Sequence, residues 1–215
     1  MILCPFCELD QSIPFFEDKH RSYLQCSACK LVYVPPAFFL TEEQEKFRYD
    51  LHTNDPQDLA YRRFLKRLFE PLEQRINRGS WGLDFGSGPG PTLSVMFEEK
   101  GHHMDLYDYF YANDVRVWEK SYDFITATEV VEHLYNPCKE LERLWALLKP
   151  GGYLGMMTKL VLNAKAFETW HYKGDRTHVC FFSKQTLEFL GAQWGATLDC
   201  IADDAFIFQK GEEDN

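Results

Sequence analysis

No stretch of about eighteen apolar residues occurs in this sequence, and a helix needs roughly that many to cross a membrane. The N-terminal residues Met1-Ile-Leu-Cys-Pro-Phe-Cys7 have neither a basic stretch nor a long apolar core, so they do not read as a secretory signal. Positive charge is scarce: 23 Lys and Arg face 33 Asp and Glu, a formal net charge of −10. Such a chain has no overall attraction to nucleic-acid phosphates, and an RNA or DNA partner would need a local basic patch. Repeats and low-complexity tracts are missing as well, apart from a short acidic tail at 212–214.

What is present is ordinary globular material. Hydrophobic residues make up 45% and charged residues 26%, which excludes a disordered chain. The 215 residues suit one compact domain with a small appendage. Seven cysteines without a signal point to the cytoplasm, and to thiols or metal ligands rather than disulfides.

Residues 1–36 hold two Cys-x-x-Cys pairs and several aromatics, show no helical periodicity, and end at Pro35-Pro36. Residues 37–55 are polar and mixed. From Asp58 to Asn77 the apolar positions Leu59, Tyr61, Phe64, Leu65, Leu68, Leu72 and Ile76 recur at three- and four-residue steps, which predicts an amphipathic helix. Its other face carries Arg62, Arg63, Lys66 and Arg67, read first as a solvated face. Beyond Gly79 the pattern changes. Short apolar runs at 81–85, 103–107, 122–126 and 153–158 predict strands, with helices at 92–100, 136–148 and 184–191 and a last strand pair at 198–202 and 205–210. Strands alternating with helices predict a mainly parallel α/β sheet.

Cys4-Pro-Phe-Cys7 and Cys26-Ser-Ala-Cys29 are separated by 18 residues. Zinc takes four soft ligands in a tetrahedron, and each pair supplies two thiolates from one tight turn. The intervening residues can form a hairpin that brings the pairs together. The spacing predicts a structural zinc ribbon with Cys4, Cys7, Cys26 and Cys29 as ligands, closed and therefore not catalytic. Two redox-active pairs are the alternative, but neither opens a helix after a strand, as a thioredoxin-like pair does. Cys138, Cys180 and Cys200 are expected to be buried or free thiols.

Leu83-Asp84-Phe-Gly86-Ser87-Gly88-Pro-Gly90 sits between a predicted strand and a predicted helix. Glycines there let backbone approach a ligand closely, and the helix behind presents unpaired N–H groups. A nicotinamide dinucleotide would also suit a glycine loop of this kind. Two acids favour another ligand. Asp84 precedes the first glycine, where a carboxylate can meet an ammonium. Asp108 follows 24 residues later at the end of the next strand, where a carboxylate can accept both hydroxyls of a ribose. A ligand with an amino-acid end and a nucleoside end fits this pair, and S-adenosylmethionine is such a ligand.

With Tyr-Asp-Phe-Ile-Thr-Ala-Thr-Glu at 122–129 and Leu-Leu-Lys-Pro-Gly-Gly at 147–152, four motifs stand in the order of the class I S-adenosylmethionine-dependent methyltransferases. Residues 81–158 resemble that family. The resemblance implies a Rossmann-like seven-stranded sheet whose last strand is antiparallel. It also implies that Asp84, Gly86, Ser87 and Gly88 hold the methionine end and Asp108 the ribose, while Thr128 and Glu129 face cofactor or substrate. One departure stands out: only thirteen residues, 109–121, precede the next strand, where the family has a helix and a further strand that often contacts adenine. Tyr109 and Asp114 are the candidates for that contact. The whole chain then reads as a zinc ribbon at 1–36, a helical linker at 37–78 and a methyltransferase domain at 79–215.

Glu129-Val-Val-Glu132-His133 follows the 122–126 strand. On a helix Glu129, Glu132 and His133 would share one face, and with His178 from a later loop they could hold a divalent cation such as Mg2+. The arrangement is similar to the ubiquinone-biosynthesis O-methyltransferases and to enzymes that methylate small-RNA 3′ ends. The same motif also occurs in relatives with no known metal, where the histidine packs under the cofactor, so both readings stay open. His171 and His178 are candidate bases in a loop rich in Trp170, Tyr172, Phe181 and Phe182, aromatics suited to an acceptor pocket or lid. The expected activity is methyl transfer to oxygen or carbon of a small molecule. Two rivals remain: an RNA methyltransferase like the ribosomal-RNA guanine enzymes with a four-cysteine zinc site, and an interaction module that binds cofactor without turnover.

Overall fold

The computed structural model describes residues 2–51 and 54–212. The acidic tail beyond Glu212 lies outside the described residues. The chain opens with two cysteine turns of the same design. In each, the first cysteine's carbonyl accepts from the N–H four residues on, and its N–H donates to the carbonyl five residues on: Cys4 with Glu8 and Leu9, Cys26 with Lys30 and Leu31. Glu8 and Lys30 adopt left-handed φ angles of 59° and 62° to close them. Between the turns, β1 (Ser12–Glu17) and β2 (Ser22–Cys26) form the expected antiparallel hairpin, and β3 (Val32–Tyr33) pairs with β2.

The polar stretch that follows contains a helix, α1 (Glu42–Tyr49), opened by a reciprocal cap between Thr41 and Gln44. Asp58 caps α2 (Leu59–Glu73), shorter than the predicted 58–77; it buries the predicted Leu65, Leu68 and Leu72 together with Phe69, while Leu59 is exposed. The α/β succession then runs β4 (Trp81–Phe85), α3 (Thr92–Glu98), β5 (His103–Tyr107), β6 (Tyr122–Thr128), α4 (Pro137–Leu147), β7 (Leu148–Met157), α5 (Ala164–Glu168), β8 (Cys180–Phe181), α6 (Lys184–Trp194), β9 (Thr197–Ala202) and β10 (Ala205–Gln209). Leu148, predicted on a helix face with Leu141 and Leu144, instead begins β7.

The main sheet has the order β5-β4-β6-β7-β10-β9. β5, β4, β6 and β7 are parallel, and β10 runs antiparallel to both neighbours. The sheet therefore has six strands, a correction to the seven that the resemblance implied. The missing one is the strand between β5 and β6. Residues 109–121 are too few for a helix and a strand; they form a bridge between Asp108 and Ala112 and a 3-10 turn at Val115–Glu119.

Alternating side chains go to opposite faces of the sheet. Phe124 and Ile207 pack against Leu65, Leu68, Leu93 and Phe97 of α2 and α3. Ile125, Phe206 and Phe208 pack against Leu141, Leu144, Leu187 and Leu190 of α4 and α6. Gly155 lies under α2 because a Cβ there would meet Leu68 and Leu72 at 3.0 Å. The second core reaches without a break into the cysteine hairpin, through Phe6, Tyr23, Phe167 and Phe181. A second sheet, β1-β2-β3-β8, makes the same connection in backbone, with Val32 opposite Phe181 and Tyr33 opposite Cys180.

Ser183 caps α6, with Thr186 returning the bond to the Ser183 N–H, and Gly195 ends the helix in the left-handed region. Ser183→Ala is expected to lower stability by about 1 kcal/mol in denaturant unfolding; an unchanged midpoint would show the cap to be idle.

Candidate functional site

The glycine loop leaves β4 at Phe85, and the Gly86 and Ser87 N–H groups donate to the Tyr107 carbonyl of β5 at 2.8 and 3.4 Å. Gly86 has a φ of +74°, and a Cβ there would meet Val130 at 2.3 Å, so the position admits only glycine. Asp108, at the end of β5, ties the loop down: Oδ2 accepts from the Gly88 N–H at 2.9 Å, and Oδ1 accepts from the Phe110 and Tyr111 N–H groups at 2.9 and 3.1 Å. Asp84 is 2% exposed and lies beneath the loop. Its two oxygens accept from the Ser94 and Thr126 hydroxyls at 2.9 and 2.8 Å. Its carboxylate braces α3 and β6 from inside.

Ser87 Oγ and Glu129 Oε1 are buried and have no hydrogen-bond partner among the described residues. Glu129 follows β6, its N–H donates to the Met157 carbonyl at 2.8 Å, and it adopts a left-handed φ of 50°. Strain of that kind in a non-glycine residue is kept where the surroundings impose it. Burial, then the charge of Glu132, pushes the Glu129 carboxyl up to about 8. Thr128 is the last residue of β6.

Glu129, Glu132 and His133 do not share a helix face, a second correction. The segment turns left-handed at Glu129, then makes one 3-10 turn at Val131–His133. That turn takes Glu132, His133 and His178 to within 4.8 Å of one another, without Glu129. Glu132 is wholly buried; its Oε1 accepts from the Tyr172 hydroxyl, and its Oε2 accepts from the Thr158 hydroxyl at 3.1 Å. Burial raises it to about 7. His178 Nδ1 lies 2.7 Å from the Tyr172 carbonyl and His133 Nδ1 lies 3.2 Å from the Thr177 carbonyl. A carbonyl only accepts, so each Nδ1 carries the proton it donates. Burial holds His178 down at about 4, a neutral ring whose Nε2 is a lone pair. His171 is set apart from this cluster: it is exposed, with Nε2 3.0 Å from Lys159 Nζ.

Two residues on the edge of the site had no clear sequence signal. Tyr49, on α1, packs its ring on Phe110 at 5.6 Å and on His133 at 5.3 Å, so α1 spans from the end of β5 to the acid–histidine cluster. Arg21 reaches from the β1–β2 turn to the loop that carries His178. The Thr41-x-x-Gln44 cap could have revealed α1; nothing in the sequence pairs Arg21 with a loop some 150 residues away. Tyr109 is exposed, edge-on to Phe110, and Asp114 pairs with Arg116.

The four cysteine sulfurs also lie within 4.8 Å of one another. Cys4 and Cys29 are 3.5 Å apart, as are Cys7 and Cys26. That is too long for a disulfide and close to the edge of about 3.8 Å in a tetrahedron with zinc–sulfur bonds of about 2.3 Å. The hydrogen bond from Cys29 brings Cys4 down to about 5, and the same pairing pushes Cys29 up.

Asp84 generates a pH test. Burial raises its carboxyl from 3.8 to about 6, against the hydroxyls of Thr126 and Ser94. The fold favours the protonated form, so this group's stabilisation is full below about pH 4 and is lost as pH rises through 6. Asp84→Asn, which cannot ionise, is expected to flatten the pH dependence of denaturant unfolding across that window; an unaltered slope would assign it to other groups.

Comparison with curated proteins by sequence found no significant match. Among solved structures, the fold is similar to the 1,6-didemethyltoxoflavin-N1-methyltransferase of Burkholderia thailandensis, solved with 1,6-didemethyltoxoflavin and S-adenosylhomocysteine bound. Identity is 15%, coverage 93% of this chain and 99% of that one, and the TM-score 0.51. A Pyrococcus horikoshii OT3 protein is similar at 14% identity, covering 78% of this chain and 99% of that one, with a TM-score of 0.50. At these identities the likeness establishes the fold. Residues 56–201 match the family described as a methyltransferase domain. The chain belongs to that methyltransferase-domain family, and is a methyltransferase.

Proposed function

We propose that this enzyme methylates oxygen or carbon of a small molecule, with the cofactor seated between the glycine loop and Asp108. One observation carries the seat: the Asp108 carboxylate lies at the strand end and is bonded to the loop through the Gly88 N–H. Gly86, Ser87 and Gly88 present main chain to the methionine end, and Asp108, with Tyr109 beside it, meets the nucleoside. Ser87 Oγ and Glu129 Oε1, buried and without a partner among the described residues, fit a ligand that brings an ammonium. When bound, the cofactor supplies an electrophilic methyl on a sulfonium. Thr128 and Glu129 border it on the side towards the acceptor.

The acceptor's proton needs a base only if the reacting atom carries one. His178 is the residue for that role, since its Nδ1–H is fixed by the Tyr172 carbonyl and Nε2 is a lone pair. His171 is exposed and bonded to Lys159, which suits contact at the pocket rim. The basic face of α2 does not support an RNA acceptor. Arg62 pairs with Glu99, Lys66 with Glu70 at 3.1 Å and Arg67 with Asp204 at 2.8 Å, so three of its four cations are already matched. The 1,6-didemethyltoxoflavin-N1-methyltransferase supports a small-molecule acceptor, although the atom named there is nitrogen.

Cys4, Cys7, Cys26 and Cys29 fit structural Zn2+: four sulfurs, tetrahedral spacing, no open position. The Glu132, His133 and His178 set does not fit Mg2+, which asks for about six oxygen ligands. It has two imidazoles, and each Glu132 oxygen already accepts one hydroxyl, from Tyr172 or Thr158.

Calorimetric titration with S-adenosylhomocysteine, with and without magnesium, tests the site. Micromolar binding that is indifferent to magnesium and weakened about tenfold or more in Asp108→Ala and Asp108→Asn is expected; a folded wild-type protein that does not bind would sink the assignment. For the cysteines, thiol titration with a mercurial should release one zinc per chain, and Cys26→Ser should lose it. Metal-free protein with unchanged melting would refute the ribbon.

A further inference from the structure

Arg21 is 3% exposed, in the β1–β2 turn. An arginine has five N–H donors in a rigid fork, and burying any of them unpaired is costly. Here all five are used. Nε donates to the Tyr23 hydroxyl oxygen at 2.9 Å. Nη1 donates to the Arg176 and His178 carbonyls at 3.3 and 2.9 Å, and Nη2 to the Lys173 and Asp175 carbonyls at 2.6 and 2.9 Å. Four main-chain carbonyls of one short segment thus converge on a single guanidinium.

The surroundings fix the guanidinium in turn. The Tyr23 hydroxyl donates to Asp18 Oδ2 at 3.1 Å, and Lys173 reaches the same oxygen at 3.3 Å. Asp18 also accepts from the His20 and Arg21 N–H groups, which shapes the turn. The segment held in this way is the one whose Tyr172 carbonyl orients His178 and whose Thr177 carbonyl orients His133. Without the fork, those carbonyls lose their partner and the segment loses the reason for its shape.

We propose that Arg21 is a positioning residue for methyl transfer: by gathering the carbonyls of residues 173–178 it sets the orientation of His178, and so makes the cysteine hairpin part of the acceptor site. The inference rests on the reading that His178 faces the acceptor. Lysine cannot replace arginine here, because three donors on a point charge cannot serve four carbonyls and a tyrosine.

The test compares wild type with Arg21→Lys, and with Tyr23→Phe as a milder variant should Arg21→Lys fold poorly. Hydrogen exchange of peptides across 171–180, the long-range proton–nitrogen NMR pattern of the His178 ring, and S-adenosylhomocysteine affinity are measured. Expected are exchange in that segment about tenfold faster, loss of the single Nδ1–H tautomer at His178, and cofactor affinity within twofold of wild type. Unchanged exchange and an unchanged tautomer would overturn the proposal. So would acceleration spread equally over β4 to β7, which would make Arg21 an ordinary stability residue. Failure of the wild type to bind S-adenosylhomocysteine would instead sink the cofactor reading, and leaves the His178 result to decide this one.

Discussion

Two residue pairs, Val32 with Phe181 and Tyr33 with Cys180, join the cysteine hairpin to the strand that follows His178, and the site's geometry depends on this ladder. The path continues in backbone: the Val34 N–H donates to the Val179 carbonyl, and the Val179 N–H donates to the Glu132 carbonyl. Position is thereby handed from the cysteine turns to the acid–histidine cluster across three segments that are far apart in sequence. The same junction is sealed by rings. Phe6 meets Phe182 edge-on at 5.9 Å, and Phe167 sits between Tyr23 at 4.9 Å and Phe181 at 5.4 Å. A hairpin this small lacks a core of its own, and it borrows one from the larger sheet.

The second organising constraint is electrostatic. Asp84, Glu129 and Glu132 are all withdrawn from water beside the strand ends, and burial raises each of them. They are tolerated in different ways. Asp84 and Glu132 are satisfied by hydroxyls, from Ser94 and Thr126 and from Thr158 and Tyr172. Glu129 has Oε1 without a partner and a backbone in the left-handed region, two departures from an ordinary interior at one residue. Such departures gather where a ligand completes the structure.

The shortened stretch after β5 is compensated from elsewhere in the chain. Where the family has another strand, α1 comes across: Asp50 at its end accepts from the Tyr111 hydroxyl at 2.6 Å, and Tyr49 packs on Phe110. A helix from the N-terminal part thus covers ground that the parallel sheet leaves open, and it does so with aromatic contacts rather than ladder hydrogen bonds.

The sequence by itself determined the local chemistry. Periodicity and short apolar runs located α2 and the strands from β4 to β7, and the glycine motif located the loop, because each depends on residues within a few positions of one another. The Cys-x-x-Cys spacing located the metal-type turns for the same reason. Only the tertiary structure decided the rest. It put Asp84 under the loop rather than on it, separated Glu129 from Glu132 by a left-handed turn, dropped the seventh strand, and brought Arg21 to the carbonyls of 173–178. Each of these depends on which distant segment fills the neighbouring space, and packing of that kind leaves no periodic trace in the chain.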